Sequence, residues 1–128
     1  MEATLERKLS STYDEVLAKL PEALKAEGFG VLTEIDVAQT LKSKLGVDFR
    51  RYKILGACNP SFAHRALSAS LQVGVLLPCN VVVYEGDGGR AVVQAIDPMQ
   101  TVAASDPRLA DVAATVRSKL TRALEHLS

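Results

Sequence analysis

The chain contains two cysteines and two asparagines, and they occur as two dipeptides, Cys58-Asn59 and Cys79-Asn80. Prolines flank them in mirror order, giving Cys58-Asn59-Pro60 and Pro78-Cys79-Asn80. A thiolate is a nucleophile and a soft metal ligand, and a carboxamide both donates and accepts hydrogen bonds. Together the four side chains could hold a small ligand, with the amides orienting whatever the sulfurs bind or attack. The chemistry has a threshold, because an ordinary thiol with a pKa of about 8.5 is only slightly ionised at neutral pH. A helix dipole contributes about 0.3 to 1 kcal/mol, too little alone to ionise Cys58, so a cation such as Arg65 would have to assist. The structural alternative makes Cys58 a small buried hydrophobe and Asn59 a helix cap.

Other chemistries fit less well. A closed zinc site needs four ligands, and one chain offers two Cys and the doubtful His64, so no metal or other cofactor is expected. The two cysteines lie far apart in sequence, unlike the close pair of a thioredoxin motif, although a reversible disulfide stays open. Gly86-Asp87-Gly88-Gly89 joins two strands, whereas phosphate loops lead into a helix; it reads as a turn. No Gly-x-Ser-x-Gly elbow supports a hydrolase.

These residues need elements to position them. Residues 3–9 alternate as a strand with Leu5 and Leu9 on its buried face. Ser11 or Thr12 can cap a helix, with Asp14 or Glu15 closing a capping box; Val16, Leu17, Leu20 and Leu24 form its apolar stripe. Pro21 should kink or break that helix, and Gly28 ends it. A second strand is expected over 29–35, then a helix capped by Asp36 and closed by Gly46 in the left-handed region. A third strand over 49–58 puts Tyr52, Ile54, Gly56 and Cys58 on one face, turning Cys58 inward, with Arg51 and Lys53 on a solvated face. Asn59 and Pro60 start a helix to about Leu71, where Ser61, His64, Arg65, Ser68 and Gln72 share the polar side. Strands over 79–85 and 90–96 form a hairpin that Asp97 and Pro98 terminate. A final helix starts at Ser105 or Asp106 and buries Leu109, Val112, Val116, Leu120 and Leu127. The order is βαβαβαββα: a single α+β domain over 1–128, with a mixed sheet covered mainly on one side by helices. If the third and fourth strands are neighbours, both thiols and both amides converge at one sheet edge.

Composition narrows the partners. Lys plus Arg equals Asp plus Glu at 15 each, so there is no net field to attract nucleic acid, and neither nucleic acid nor membrane is expected as a partner. The opening MEATLERKLS lacks the apolar stretch of a secretion signal, which points to the cytoplasm, where free thiols are the rule.

Four segments carry a resemblance: GFGVLTEIDV (28–37), YKILGACNP (52–60), LLPCNVVVYE (76–85) and Ile96-Asp97-Pro98. Together they resemble the family known as domain of unknown function 302, over most of the chain; His64 lies outside those positions. The resemblance implies a compact α/β fold assembled as a homodimer, and it implies no established activity. Cys58, Asn59, Cys79 and Asn80 therefore carry over as motif residues, with a small-molecule site as one reading and a non-catalytic homodimeric module with structural motifs as the other.

Overall fold

The first strand runs past its expected end. In the structure, a computed structural model that describes residues 4–127, β1 spans Thr4–Thr12; Ala3, the first residue of the strand expected from sequence, lies outside the described residues. Thr12 then caps α1 (Tyr13–Lys25): its Oγ1 accepts from Glu15 N at 3.3 Å while its hydroxyl donates to Glu15 Oε1 at 3.0 Å. Pro21 does not break the helix, which continues to Lys25. Val16, Leu20 and Leu24 are fully buried along one stripe and hold the helix to the sheet across the lost backbone bond. Gly28, at φ +88°, closes it: Phe29 N donates to Leu24 O and Gly28 N to Lys25 O.

The remaining elements are β2 (Gly30–Asp36), α2 (Val37–Leu45), β3 (Tyr52–Cys58), α3 (Pro60–Ala69), β4 (Cys79–Glu85), β5 (Arg90–Ile96) and α4 (Ala110–Glu125). Asp36 caps α2 through Gln39 N, and Gly46 ends it in the left-handed region. A 3-10 segment, Leu71–Leu76, follows α3, and a short turn over Asp87–Gly89 makes the hairpin, with Gly88 and Gly89 both at positive φ.

The sheet order is β1-β5-β4-β3-β2, with every neighbouring pair antiparallel. The parallel pairs that the crossovers left open are not formed. A parallel crossover needs a helix lying along the sheet, and α2, with no buried residue, has no face to lay there. It turns the chain at the end of the sheet instead. α1 and α4 cover one face, packing Val16, Leu20, Leu24, Leu120 and Leu124 against Leu55, Ala57, Val81, Val83, Ala91, Val93 and Ala95. Each large side chain so buried contributes roughly 1.5 to 3 kcal/mol.

The faces of β3 are the reverse of the expectation. Leu55 and Ala57 meet the helices, and these share their side of the strand with Arg51 and Lys53, whereas Tyr52, Ile54 and Gly56 lie on the uncovered side. The two basic residues sit at the margin of the covered face: the Arg51 guanidinium stacks 4.6 Å from the Tyr13 ring and pairs with Asp14 and Glu85, and Lys53 pairs with Glu34. Counting the aromatic and Ile54 as core residues reversed the strand, because both faces of β3 are apolar at its centre.

On the uncovered side a third strand residue is constrained by close packing. A Cβ at Gly56 would overlap the Thr33 hydroxyl and come within 2.7 Å of Pro78 Cγ. Gly56→Val should therefore destabilise the fold by about 1 to 3 kcal/mol, read as a lower urea midpoint at unchanged slope. An unchanged midpoint would mean that Pro78 does not rest on this strand.

Candidate functional site

The antiparallel register of β3 and β4 places Ala57 opposite Cys79 and Gly56 opposite Asn80. Both motifs therefore lie at one end of the sheet, on adjacent strands. Alternation separates them again. Cys79 shares its side with Val81 and Val83 and faces the helices, while Asn80 is exposed on the other side. Three of the four residues, Cys58, Asn59 and Cys79, line a single cavity of about 50 Å³ together with Phe29, Phe62, Pro78 and Val116. Asn80 is not part of it.

Asn59 does not cap α3 with its side chain. Its amide Nδ2 donates to Glu27 O at 3.2 Å, and the same amide lies so close to Gly28 that a Cβ there would sit 2.9 Å from Nδ2. The start of α3 is thus tied to the end of α1. Glu27 in turn accepts from Arg122 Nε of α4 at 2.9 Å, with His126 Nε2 3.6 Å from its other oxygen. The Arg122 hydrogen bond holds the Glu27 carboxyl below its ordinary value, so this tie is intact above that value and is lost as pH falls through the lowered one. Sequence reasoning missed Glu27 and Arg122, which no motif marks, because only the packed helices bring them together.

Cys79 sits between this cavity and a second one of about 60 Å³, lined among others by Val73, Leu76, Ile96, Leu109 and Val116. Burial pushes its thiol up to about 11 from an ordinary 9.0, and negative charge on Cys58 would push it the same way. The thiol is protonated at neutral pH. Both cysteines are free, and because Cys79 faces Ala57 the two thiols are displaced by one residue, so strand alternation sends their Cβ atoms to opposite sides. Arg65 does not reach the site as a cation: it is exposed and lies 5.5 Å from the Phe62 ring. His64 is exposed as well. Among the described residues no three His, Cys, Asp or Glu side chains gather as metal ligands, and no helix is long and apolar enough to cross a membrane.

The fourth segment, Ile96-Asp97-Pro98, has a clear structural task. Asp97 is 4% exposed, accepts from Met99 N at 2.9 Å and pairs with Arg117 Nε of α4 at 3.0 Å, fixing the chain where β5 ends.

The family model for domain of unknown function DUF302 matches residues 5–127. The chain belongs to the DUF302 family. A solved structure, an uncharacterized conserved DUF302 protein from Bacillus stearothermophilus, is similar at 35% identity and a TM-score of 0.91, each chain being covered completely. No curated protein matches. In this DUF302 chain the motif segments are those that meet at the sheet end: 52–60 and 76–85 supply β3 and β4, and 28–37 supplies the Gly28 that Asn59 rests against.

The raised thiol has a signed consequence. Folding favours the protonated Cys79, so its contribution is complete below pH 9 and is lost as pH rises towards 11, up to about 3 kcal/mol. Cys79→Ser should remove that alkaline loss, measured by denaturant titration from pH 8 to 11. In the native protein Cys79 should react with a thiol reagent far more slowly at pH 7.5 than in about 6 M urea. Fast native reaction at neutral pH would contradict the buried, protonated thiol.

Proposed function

We propose that this chain is a non-catalytic homodimeric interaction module, in which the Cys58-Asn59-Pro60 and Pro78-Cys79-Asn80 motifs are structural and the uncovered sheet face receives a second copy. The observation that carries this reading is the use already made of the motif groups. The Asn59 amide is spent on Glu27 O, the Cys79 thiol is buried and protonated, and Asn80 points away from both. Little is left to orient or attack a substrate.

The uncovered face has the composition of a self-complementary surface. Ile35, Ile54 and Val82 stand side by side across β2, β3 and β4, and the Tyr52 and Tyr84 rings stack next to them at 5.4 Å and 5°. Ile35 is half exposed, and Phe49 and Val47 extend the apolar surface beyond the strands. Five strands about 4.8 Å apart and about seven residues long make a face roughly 24 Å square. With its rim, that approaches the area of about 800 Å² per partner that a stable dimer buries. Ile35, Ile54 and Val82 are uncharged, and the same row runs on through Gln94 to Glu6 at the β1 edge, so like charge is kept from the centre of the face.

The small-ligand reading at Cys58, Asn59, Cys79 and Asn80 is favoured by one observation, the pair of apolar cavities that meet at Cys79. Their size weighs against it, since ligand pockets usually hold about 300 to 1,000 Å³.

Sedimentation equilibrium tests the module. The wild-type chain should sediment as a dimer, Ile54→Glu as a folded monomer, and Ala18→Glu, which adds the same charge on the exposed side of α1, as a dimer. A monomeric wild type, or a dimer that ignores Ile54→Glu, would overturn the assignment of this face.

A further inference from the structure

At the hairpin corner of the sheet, a concavity of about 310 Å³ opens between β1, β5 and the chain entering β3. It differs from the cavities at Cys79 in size and in chemistry. Lys8, Arg50 and Arg90 line it, with Tyr84 at its side and Val92 as its apolar floor, and Asp87 is the only acidic residue in its wall. The neighbouring cations are already engaged: Arg51 pairs with Asp14 and Glu85, and Lys53 with Glu34. The three in the concavity are not. Arg50 donates only to a backbone oxygen, Glu85 O at 3.2 Å, and among the described residues Lys8 and Arg90 have no ion-pair partner.

The chain as a whole is neutral, so three cations against one carboxylate is a local excess of positive charge. The acids that could have balanced it are used elsewhere. Glu85 is drawn to the opposite side by Arg51, and Glu6, which keeps its charge while accepting from the Gln94 amide, lies outside the wall. The backbone around the concavity is fixed, because Gly86 N donates to Arg90 O at 2.7 Å and the two glycines at positive φ set the turn. Two of the cations project from strands and the third from the segment that leads into one, so they are held at defined positions on a ladder and not on a free loop. Convergent cations on rigid strands above an apolar floor bind an oxyanion that carries a small organic body.

We propose that this concavity is an anion-binding site for a small phosphorylated or carboxylated organic molecule, with Lys8, Arg50 and Arg90 holding the oxyanion and Val92 and Tyr84 receiving the rest. It is not a phosphate loop, since the contacts come from side chains on strands and not from the glycine backbone at a helix start. All of its groups belong to one chain, but Lys8, Val92 and Tyr84 form one row on the uncovered side, so the concavity borders the face proposed to receive the second copy, and running the titration on the Ile54→Glu monomer as well separates the two readings.

The test follows amide chemical shifts by NMR in the full chain, at constant ionic strength, on adding inorganic phosphate, succinate or chloride. Phosphate and succinate should each shift residues around 8, 50, 84 and 90 in a saturable way, and chloride should not. The stronger of the two identifies which oxyanion the site prefers. Lys8→Gln and Arg90→Gln should each weaken binding about tenfold or more, and Asp87→Asn should strengthen it, while the rest of the spectrum stays native. Shifts that do not saturate, that are equal for chloride, or that persist in the Lys8→Gln/Arg90→Gln variant would overturn the proposal.

Discussion

The register between β3 and β4 is the constraint on which the rest of the molecule depends. Leu55 and Ala57 on one strand and Val81 and Val83 on the other have to face the same two helices, and a slip of one residue would turn one of these two pairs away from them. Once that register is set, the fate of each motif residue follows from parity. Cys79 lies on the core side and is largely, though not fully, shielded from water; Asn80 lies on the open side; Cys58 falls at the end of β3, beside Gly30 of β2. The chemistry of the site is thus a by-product of core packing, and burial, acting first through desolvation, makes Cys79 a poor nucleophile.

Four separate chain segments are tied together at the sheet end. Asn59 holds the α1 terminus through Glu27 O, Glu27 holds α4 through Arg122, and α4 returns through Arg117 to Asp97 at the end of β5. A series of ties of this kind places polar partners where an apolar core cannot, including helix ends that carry unsatisfied backbone groups. It gives the motif residues a reason to exist that needs no substrate. The net cost of a buried unpaired amide or carboxylate, about 1 to 3 kcal/mol, is comparable to what folding as a whole can spare.

Much of this was legible in the sequence, and the exceptions have physical causes. Local signals read correctly: the Thr12 and Asp36 caps, the left-handed Gly46, the glycine turn, and both strands of the hairpin depend on neighbours within a few residues. The convergence of the two Cys-Asn segments was conditional on β3 and β4 being neighbours, and that adjacency is supplied by the strand order, which no local signal carries. What failed was whatever depended on which neighbour packs where. The side of β3 was reversed because Tyr52 and Ile54 are as apolar as Leu55 and Ala57, and only α1 and α4 decide between them. Pro21 stays inside its helix because distant core contacts outweigh one lost bond, and Asn59 serves Glu27 because the α1 terminus happens to arrive there. The open sheet face had no sequence signature at all, since its residues alternate with the core on the same strands.

The strand order has one more consequence, for the growing chain. β1 is synthesised before the other four strands, yet among the described residues its one partner in the sheet is β5, so none of this ladder can form until residues 90–96 have emerged. For most of translation it is an unpaired edge beside an amphipathic helix. Glu6 and Lys8 on its outer side place charge where a neighbouring nascent chain would otherwise add a strand, so the residues that polarise the finished face also guard the unfinished one.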